Sequence, residues 1–230
     1  MPQPVARAVT DVAVFSFGRT GSQRCPNKML RPMAGTTLTD IFLAKLARCP
    51  YPTFFAGYEP EFRARCEAHG VRFVQRDQRS ATIDEPIVDI LSFLRPLDFT
   101  HFLCVNASLP FLAVETVTSF LDDCLAHDRE PAFGVIRRLT HFMSLDRRAL
   151  NFDGSARTIN TKTVAPVLEF AHALYFFSKD YFFREGRYWD WSTVRLIEIS
   201  DKLQVVDVDT EEDFRIAEAL WTGFHPHPRP

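Results

Sequence analysis

Val12–Phe17 and Gly18–Lys28 read VAVFSF and GRTGSQRCPNK, and the passage from one to the other decides the fold. The first is a short apolar run, the pattern of a strand buried on both faces. The second is a polar, glycine-bearing loop that continues to Gly35, after which Leu38, Ile41, Phe42, Lys45 and Leu46 recur at helical spacing. The same alternation continues outward from there. Tyr51–Gly57 reads as a second strand, and Phe62 and Cys66 sit on a helix that Gly70 is placed to stop. Val71–Val74 reads as a third strand. Pro86 suits the first turn of a helix over Ile87–Leu94, whose Ile87, Ile90, Leu91 and Leu94 form one apolar face. Phe102–Val105 reads as a fourth strand, leading through Asn106–Pro110 into a helix over Phe111–Leu125. Strands alternating with helices at this spacing predict an α/β protein with a mostly parallel sheet covered on both sides.

After Val135 the pattern changes. Ser144–Val164 is polar, carries an Asp153-Gly154 turn signal and reads as a β-hairpin or projecting arm. Core-like sequence resumes at Val167–Phe177, Leu203–Val206 reads as a further strand, and Glu211–Trp221 reads as a closing helix. Thr210 and Asp213 have the spacing of a capping box at its start. The 230 residues therefore predict one domain, with a core over about 10–140 and 165–222 and an arm over about 144–164.

Composition narrows the function classes. Lys and Arg number 27 against 29 Asp and Glu, a near balance that argues against a general nucleic-acid backbone binder. Runs such as Val12–Phe17 and Leu174–Phe177 fall far short of the ~20 residues that span a bilayer, so no membrane partner is expected. Met1–Arg7 lacks the basic start and long apolar stretch of a secretory signal. The five cysteines are scattered without a C-x-x-C pair, which speaks against a disulfide framework or structural zinc and fits a cytoplasmic location. The 22 phenylalanines point to an aromatic core, and the His225-Pro226-His227-Pro228 tail reads as a frayed terminus rather than a metal site.

Ligands of a parallel sheet gather beyond the C-terminal ends of its strands, where Gly18–Lys28 lies. The loop is neither a Walker A motif nor a G-x-G-x-x-G fingerprint. It does bring Gly18 and Gly21 for close backbone approach, the Ser22 hydroxyl, and the cations Arg19, Arg24 and Lys28, a set that suits a triphosphate. The same residues also read as a solvated polar loop. Val205–Phe214, VVDVDTEEDF, places Asp207 and Asp209 in an Asp-x-Asp pair directly after an apolar run. Such a pair suits Mg2+ bridged to phosphate oxygens; it also reads as a helix cap at Asp209 beside a solvent-facing Asp207.

The two stretches together resemble the acylneuraminate cytidylyltransferase family. The loop is similar to that family's A-R-x-G-S-K-x-x-x-x-K-N motif, and Asp207–Asp213 to its D-x-D-T-x-E-D motif. His172–Phe177, HALYFF, resembles the N-G-A-x-Y strand, and the helix bearing Phe214, Ala217 and Leu220 resembles the closing helix, so the likeness spans roughly residues 10 to 222. The sequence departs from the family at Gln23 (for lysine), at Met29, at Phe111 within the segment that replaces T-S-P-L-R, and at His172 (for asparagine).

The resemblance implies a three-layer α/β/α sandwich of the nucleotide-diphospho-sugar transferase type. It implies an enzyme that transfers CMP from CTP to the anomeric hydroxyl of a 2-keto sugar acid of sialic, legionaminic or pseudaminic type, releasing pyrophosphate. Arg19, Lys28 and Asp209 would be catalytic. Gly18, Arg19, Gly21, Ser22, Gln23, Arg24, Lys28, Arg79, Asn106 and Ser108 would meet the nucleotide, and Asp207 and Asp209 would hold Mg2+. The arm falls where relatives carry a dimerisation segment, so a homodimer is expected in which Arg147, Arg148, Arg157 or Lys162 approaches a partner's sugar carboxylate. Activation of an eight-carbon acid (KDO) or another sugar, and a degenerate member that binds nucleotide without turnover, are the alternatives. The aromatic stretch around Trp189 and Trp191 reads as packing beneath a loop.

Overall fold

The computed structural model describes residues 11–224, so the His225–His227 tail lies outside the described residues. Strands β1 (Val12–Phe17), β2 (Thr53–Gly57), β3 (Arg72–Gln75), β4 (His101–Val105), β5 (Ala132–Arg138), β6 (Val167–Ser178) and β7 (Arg195–Glu198) form one sheet of order β3-β2-β1-β4-β6-β5-β7. The pairs β1–β2, β1–β4, β2–β3 and β5–β7 are parallel, and β6 alone runs against both of its neighbours. The mostly parallel sheet expected from the alternation is present.

Helices cover both faces, because strands buried on both sides alternate their side chains between two cores. On one face Val12, Val14, Phe55, Leu103 and Val105 pack under α1 (Leu38–Leu46), α2 (Pro60–His69), α5 (Val114–Ala126) and α7 (Glu211–Phe224). On the other, Ala13, Phe15, Phe54, Phe102 and Phe177 pack under α4 (Ile87–Ile90), a 3-10 turn at Ser92–Leu94, and α6 (Lys179–Glu185). A short α3 (Gln78–Thr82) follows β3. Phenylalanines serve both cores, and in the second Phe15 and Phe54 stack at 5.2 Å with Phe102 edge-on to Phe15 at 5.6 Å. Each such pair adds about 0.5–1.5 kcal/mol beyond its buried area.

Local signals are realised where the backbone needed them. Thr37 caps α1 by accepting from the Asp40 amide at 3.1 Å, and Gly70 ends α2 at φ 66°. Thr210 and Asp213 form a reciprocal capping box at α7, Thr210 Oγ1 accepting from Asp213 N at 3.2 Å while Asp213 Oδ2 accepts from Thr210 N at 2.8 Å. All five cysteines are unpaired thiols.

Two expectations are corrected. Leu203–Val206 is not a strand but overlaps a 3-10 turn at Lys202–Val205. There the Gln204 side chain accepts from the Ala113 amide at 3.0 Å and the Thr116 hydroxyl at 2.6 Å, holding the start of α5. The proposed helix over Ile87–Leu94 is two pieces, α4 and the following 3-10 turn. The segment between β5 and β6 is a largely irregular excursion with a tight turn, Ser144 N donating to Arg148 O at 3.0 Å. Asn151 closes its base by donating to the Thr140 and Ala165 carbonyls, both at 2.8 Å.

Candidate active site

A cleft of about 650 Å³ opens beyond the C-terminal ends of β1 and β4, bounded by the 18–28 loop, the 83–90 segment, the 104–108 turn and Asp209. Parallel strands end here together, so carbonyl-terminal loops from several of them share one mouth. Gly18 starts the loop with its amide on Ala56 O at 3.0 Å. A Cβ at Gly18 would stand 3.0 Å from the rings of Phe55 and Phe62, so any larger residue would have to push these rings aside as the chain leaves β1.

The loop is folded on itself rather than floating. Ser22 N and Asn27 N both donate to Thr20 O, at 2.9 and 3.2 Å, and Lys28 N donates to Cys25 O at 3.3 Å. Thr20 is anchored in turn by Glu59, whose Oε1 accepts from the Thr20 amide at 2.9 Å and from its hydroxyl. Burial works to raise the Glu59 pKa, but these bonds from Thr20 hold it below the usual carboxylate value. Arg19 lies at the cleft's edge, donating to Ile83 O at 3.2 Å and paired with Asp84.

The carboxylates arrive from the other end of the chain. Lys28 Nζ donates to Val208 O at 2.6 Å and to Asp209 Oδ1 at 3.1 Å, and Arg24 lies 3.0 Å from Asp209 Oδ2. Asp209 therefore gathers two loop cations at the cleft. Asp207 flanks the fully buried Val208 on the other side, with Oδ2 accepting from Asn106 Nδ2 at 3.1 Å. Its Oδ1 is buried with no hydrogen-bond partner. Burial, and then the charge of Asp209, push its pKa up to about 6.

Of the residues singled out in the sequence, Gly18, Arg19, Ser22, Gln23, Arg24, Lys28, Asn106, Ser108 and Asp209 line the cleft. Gly21 sits in the loop but outside that lining, and Asp207 joins the site through Asn106. Arg79 is not brought to the cleft: it stands on α3, largely exposed, paired with Asp89 at 2.7 Å. Arg76, at the end of β3, fills the place instead. It is 1% exposed and lines the cleft while donating to Gly18 O at 3.0 Å and Ser80 Oγ at 3.1 Å. Burial, helped by the nearby Arg19 charge, brings its pKa down to about 10. Arg76 was not singled out in the sequence, where its one signal is its place two residues beyond the expected third strand Val71–Val74.

Tyr175 and Tyr188 also line the cleft and were not singled out. Burial raises the pKa of both phenols, which stay protonated and able to donate. Behind them, Trp189 is 3% exposed and packs on Phe133 at 5.0 Å, while the exposed Trp191 lies over Phe170 at 5.0 Å. Phe111, at a family departure, packs against Trp221 at 5.8 Å and belongs to the α7 contact.

The donors suit a hard divalent cation. Asp209 lines the cleft, and two residues before it the buried Oδ1 of Asp207 is an acceptor that protein groups leave unused. Among the described residues no cluster of three or more His, Cys, Asp or Glu side chains forms a metal site, so a cation here would complete its shell with phosphate oxygens and water.

Three solved structures share this fold. CMP:2-keto-3-deoxy-manno-octonic acid synthetase complexed with CTP matches with a TM-score of 0.69 at 12% identity, over 93% of this chain and 99% of the other. A cytidylyltransferase from Leptospira borgpetersenii gives 0.61 at 12% identity, covering 93% and 87%. The 4-diphosphocytidyl-2C-methyl-D-erythritol synthase of Anaerococcus prevotii gives 0.58 at 12% identity, covering 92% and 98%. No curated protein matches by sequence. A family model described as Cytidylyltransferase matches residues 17–204, from the end of β1 through the turn before Asp207. That match takes in the loop, the cleft walls and the excursion between β5 and β6, and by it the chain belongs to the cytidylyltransferase family of nucleotidyltransferases.

Proposed function

We propose that the protein transfers CMP from CTP to the anomeric hydroxyl of a nonulosonic 2-keto sugar acid. The observation that carries this reading is the meeting of Lys28 and Arg24 with Asp209, 181 residues apart in sequence for Lys28, at the mouth of one cleft. That meeting sets two loop cations beside a carboxylate, a pairing that would suit a triphosphate and its counter-ion. In the transfer the acceptor oxygen bonds the α-phosphorus as the bridge to the β-phosphate breaks. Pyrophosphate departs and the hydroxyl proton passes to solvent.

Asp207 and Asp209 would hold Mg2+. Bound there, the ion would stabilise charge at the α-phosphate and favour ionisation of the sugar hydroxyl. The chain's own part is positioning and charge neutralisation. Lys28 is largely enclosed and suited to fix phosphate oxygens as a point charge, while the exposed Arg24 stands in for the lysine that Gln23 replaces. Release from Asp209 would turn both cations toward phosphate. Tyr175 and Tyr188 line the same cleft with protonated phenols.

The excursion between β5 and β6 exposes Leu145 and Ile159 at 106% and 81%, along with Leu139, Met143 and Leu150. Apolar side chains so displayed fit burial against a second copy, and a homodimer would carry Arg147, Arg148, Arg157 or Lys162 toward a partner's acceptor carboxylate. The eight-carbon acid KDO is the second acceptor class, supported by the overlay of its CMP-synthetase on 93% of this chain.

The test is pyrophosphate release with CTP and Mg2+ across a panel of nine- and eight-carbon 2-keto sugar acids. Turnover with a nine-carbon acid is the expected result. Turnover with KDO alone moves the acceptor to the second class, and binding of CTP without turnover on any acid identifies a degenerate member.

A further inference from the structure

Asn106 uses its side chain entirely within the protein. Its amide donates to His172 O at 3.0 Å and to Asp207 Oδ2 at 3.1 Å, and its Oδ1 accepts from Ser108 N at 2.9 Å. Both amide hydrogens are committed, so Asn106 donates to a nucleotide only by releasing Asp207 or the His172 carbonyl. The carbonyl it reaches is presented by unusual backbone. His172 has φ 48°, the left-handed region that a residue with a Cβ enters at a cost of about 1–2 kcal/mol.

The strand ladder explains that conformation. On the β5 side the register slips, Val135 facing Phe170 and Phe133 facing Tyr175, so that His172 falls in a bulge. On the β4 side the ladder ends at Val105 opposite Leu174, and Asn106 N donates to Ala173 O at 2.9 Å. Beta6 thus turns the His172 carbonyl toward Asn106 just where β4 stops. The imidazole is exposed and bonded to the Tyr175 hydroxyl at 3.2 Å. The backbone of His172, not its ring, is what Asn106 meets.

We infer that the His172 bulge and Asn106 are a positioning device for Asp207: they anchor Oδ2 and leave the unpartnered Oδ1 to a divalent cation. Asn106 and His172 are then positioning residues of the metal site, and Asn106 does not contact the nucleotide. The inference rests on the reading of Asp207 as a metal ligand given above.

The test follows Mn2+ alone, by the electron paramagnetic resonance amplitude of the free ion, in wild type, Asn106→Ala, His172→Gly, His172→Asn, His172→Val and Asp207→Asn. Asn106→Ala and His172→Val are expected to weaken Mn2+ binding roughly 10-fold or more, the usual effect of losing a group that orients a ligand. His172→Gly and His172→Asn, both tolerant of positive φ, should stay within about threefold of wild type. Asp207→Asn should lose the binding. With EDTA present, CTP should bind Asn106→Ala as it binds wild type, which a nucleotide contact would not allow. Thermal melting separates unfolding from a local effect, and the two tolerant His172 variants keep the idea testable should Asn106→Ala or His172→Val fail to fold.

Loss of Mn2+ binding in Asp207→Asn but not in Asn106→Ala overturns the positioning role and leaves the metal reading standing. Equal weakening by His172→Gly and His172→Val, or loss of CTP affinity by Asn106→Ala in EDTA, also overturns it. Absence of Mn2+ binding in wild type, or wild-type affinity in Asp207→Asn, overturns the metal reading itself.

Discussion

At the scale of single residues, the site separates groups that act from groups that hold. Asp209 faces the cleft with its two oxygens on two loop cations, so Asp209→Asn should remove pyrophosphate release while leaving the melting temperature within a few degrees. Full activity in that variant would dismiss the metal assignment. Lys28→Ala should chiefly weaken CTP binding, read as a smaller CTP-induced thermal shift, and an unchanged affinity would count against the loop as a phosphate site. Arg76 is a holding residue. It ties the Gly18 carbonyl to α3 and reaches the Ser80 carbonyl from a buried position, with Phe17 5.0 Å from its guanidinium. Arg76→Ala would leave those carbonyls unpaired around a void and should cost about 3 kcal/mol in chemical denaturation. A loss below about 1 kcal/mol would show that water replaces the guanidinium.

At the scale of elements, α1 and the turn before α5 are joined by a buried cation. Lys45 Nζ donates to Leu109 O at 3.2 Å and Pro110 O at 2.5 Å, and burial brings its pKa down from 10.5 to about 7. The unfolded chain therefore binds more protons at Lys45 than the folded one between pH 7 and 10.5, and stability from this group rises with pH across that window. Burial raises the pKa of the Cys66, Cys104 and Cys124 thiols, which works in the opposite direction once unfolded thiols ionise near pH 9. Urea denaturation between pH 7 and 8.5 should thus show a steeper rise for wild type than for Lys45→Met. Parallel profiles would mean that the ammonium is not the titrating group. This link was outside the reach of periodicity, which placed Lys45 on the apolar face of α1 but not the carbonyls it meets 64 residues later.

At the scale of the molecule, the excursion between β5 and β6 carries the prediction about assembly. Replacing residues 142–160 by a short Gly-Ser turn should leave the sheet folded and convert a dimer to a monomer by light scattering, because the most exposed apolar side chains go with it. A monomeric wild type would reject the homodimer. The helix-covered parallel sheet was legible along the chain because strands buried on both faces are continuous apolar runs, as at Val12–Phe17. The region from β5 to β7 was legible only in part. Beta7 is a four-residue edge strand with alternating exposure, too short for its period to stand out.

Local sequence determined the elements whose causes are local: the helix caps at Thr37 and Thr210, the stop at Gly70, and the Asp-x-Asp pair. Those features depend on steric limits and hydrogen bonds within a few residues. Tertiary structure alone decided that Arg76 rather than Arg79 enters the cleft, that Gln204 ends a turn instead of continuing a strand, and that Asn106 joins Asp207 to a left-handed His172. Each of these depends on which group fills a buried polar vacancy left by another part of the chain, and such vacancies exist only once the sheet has closed.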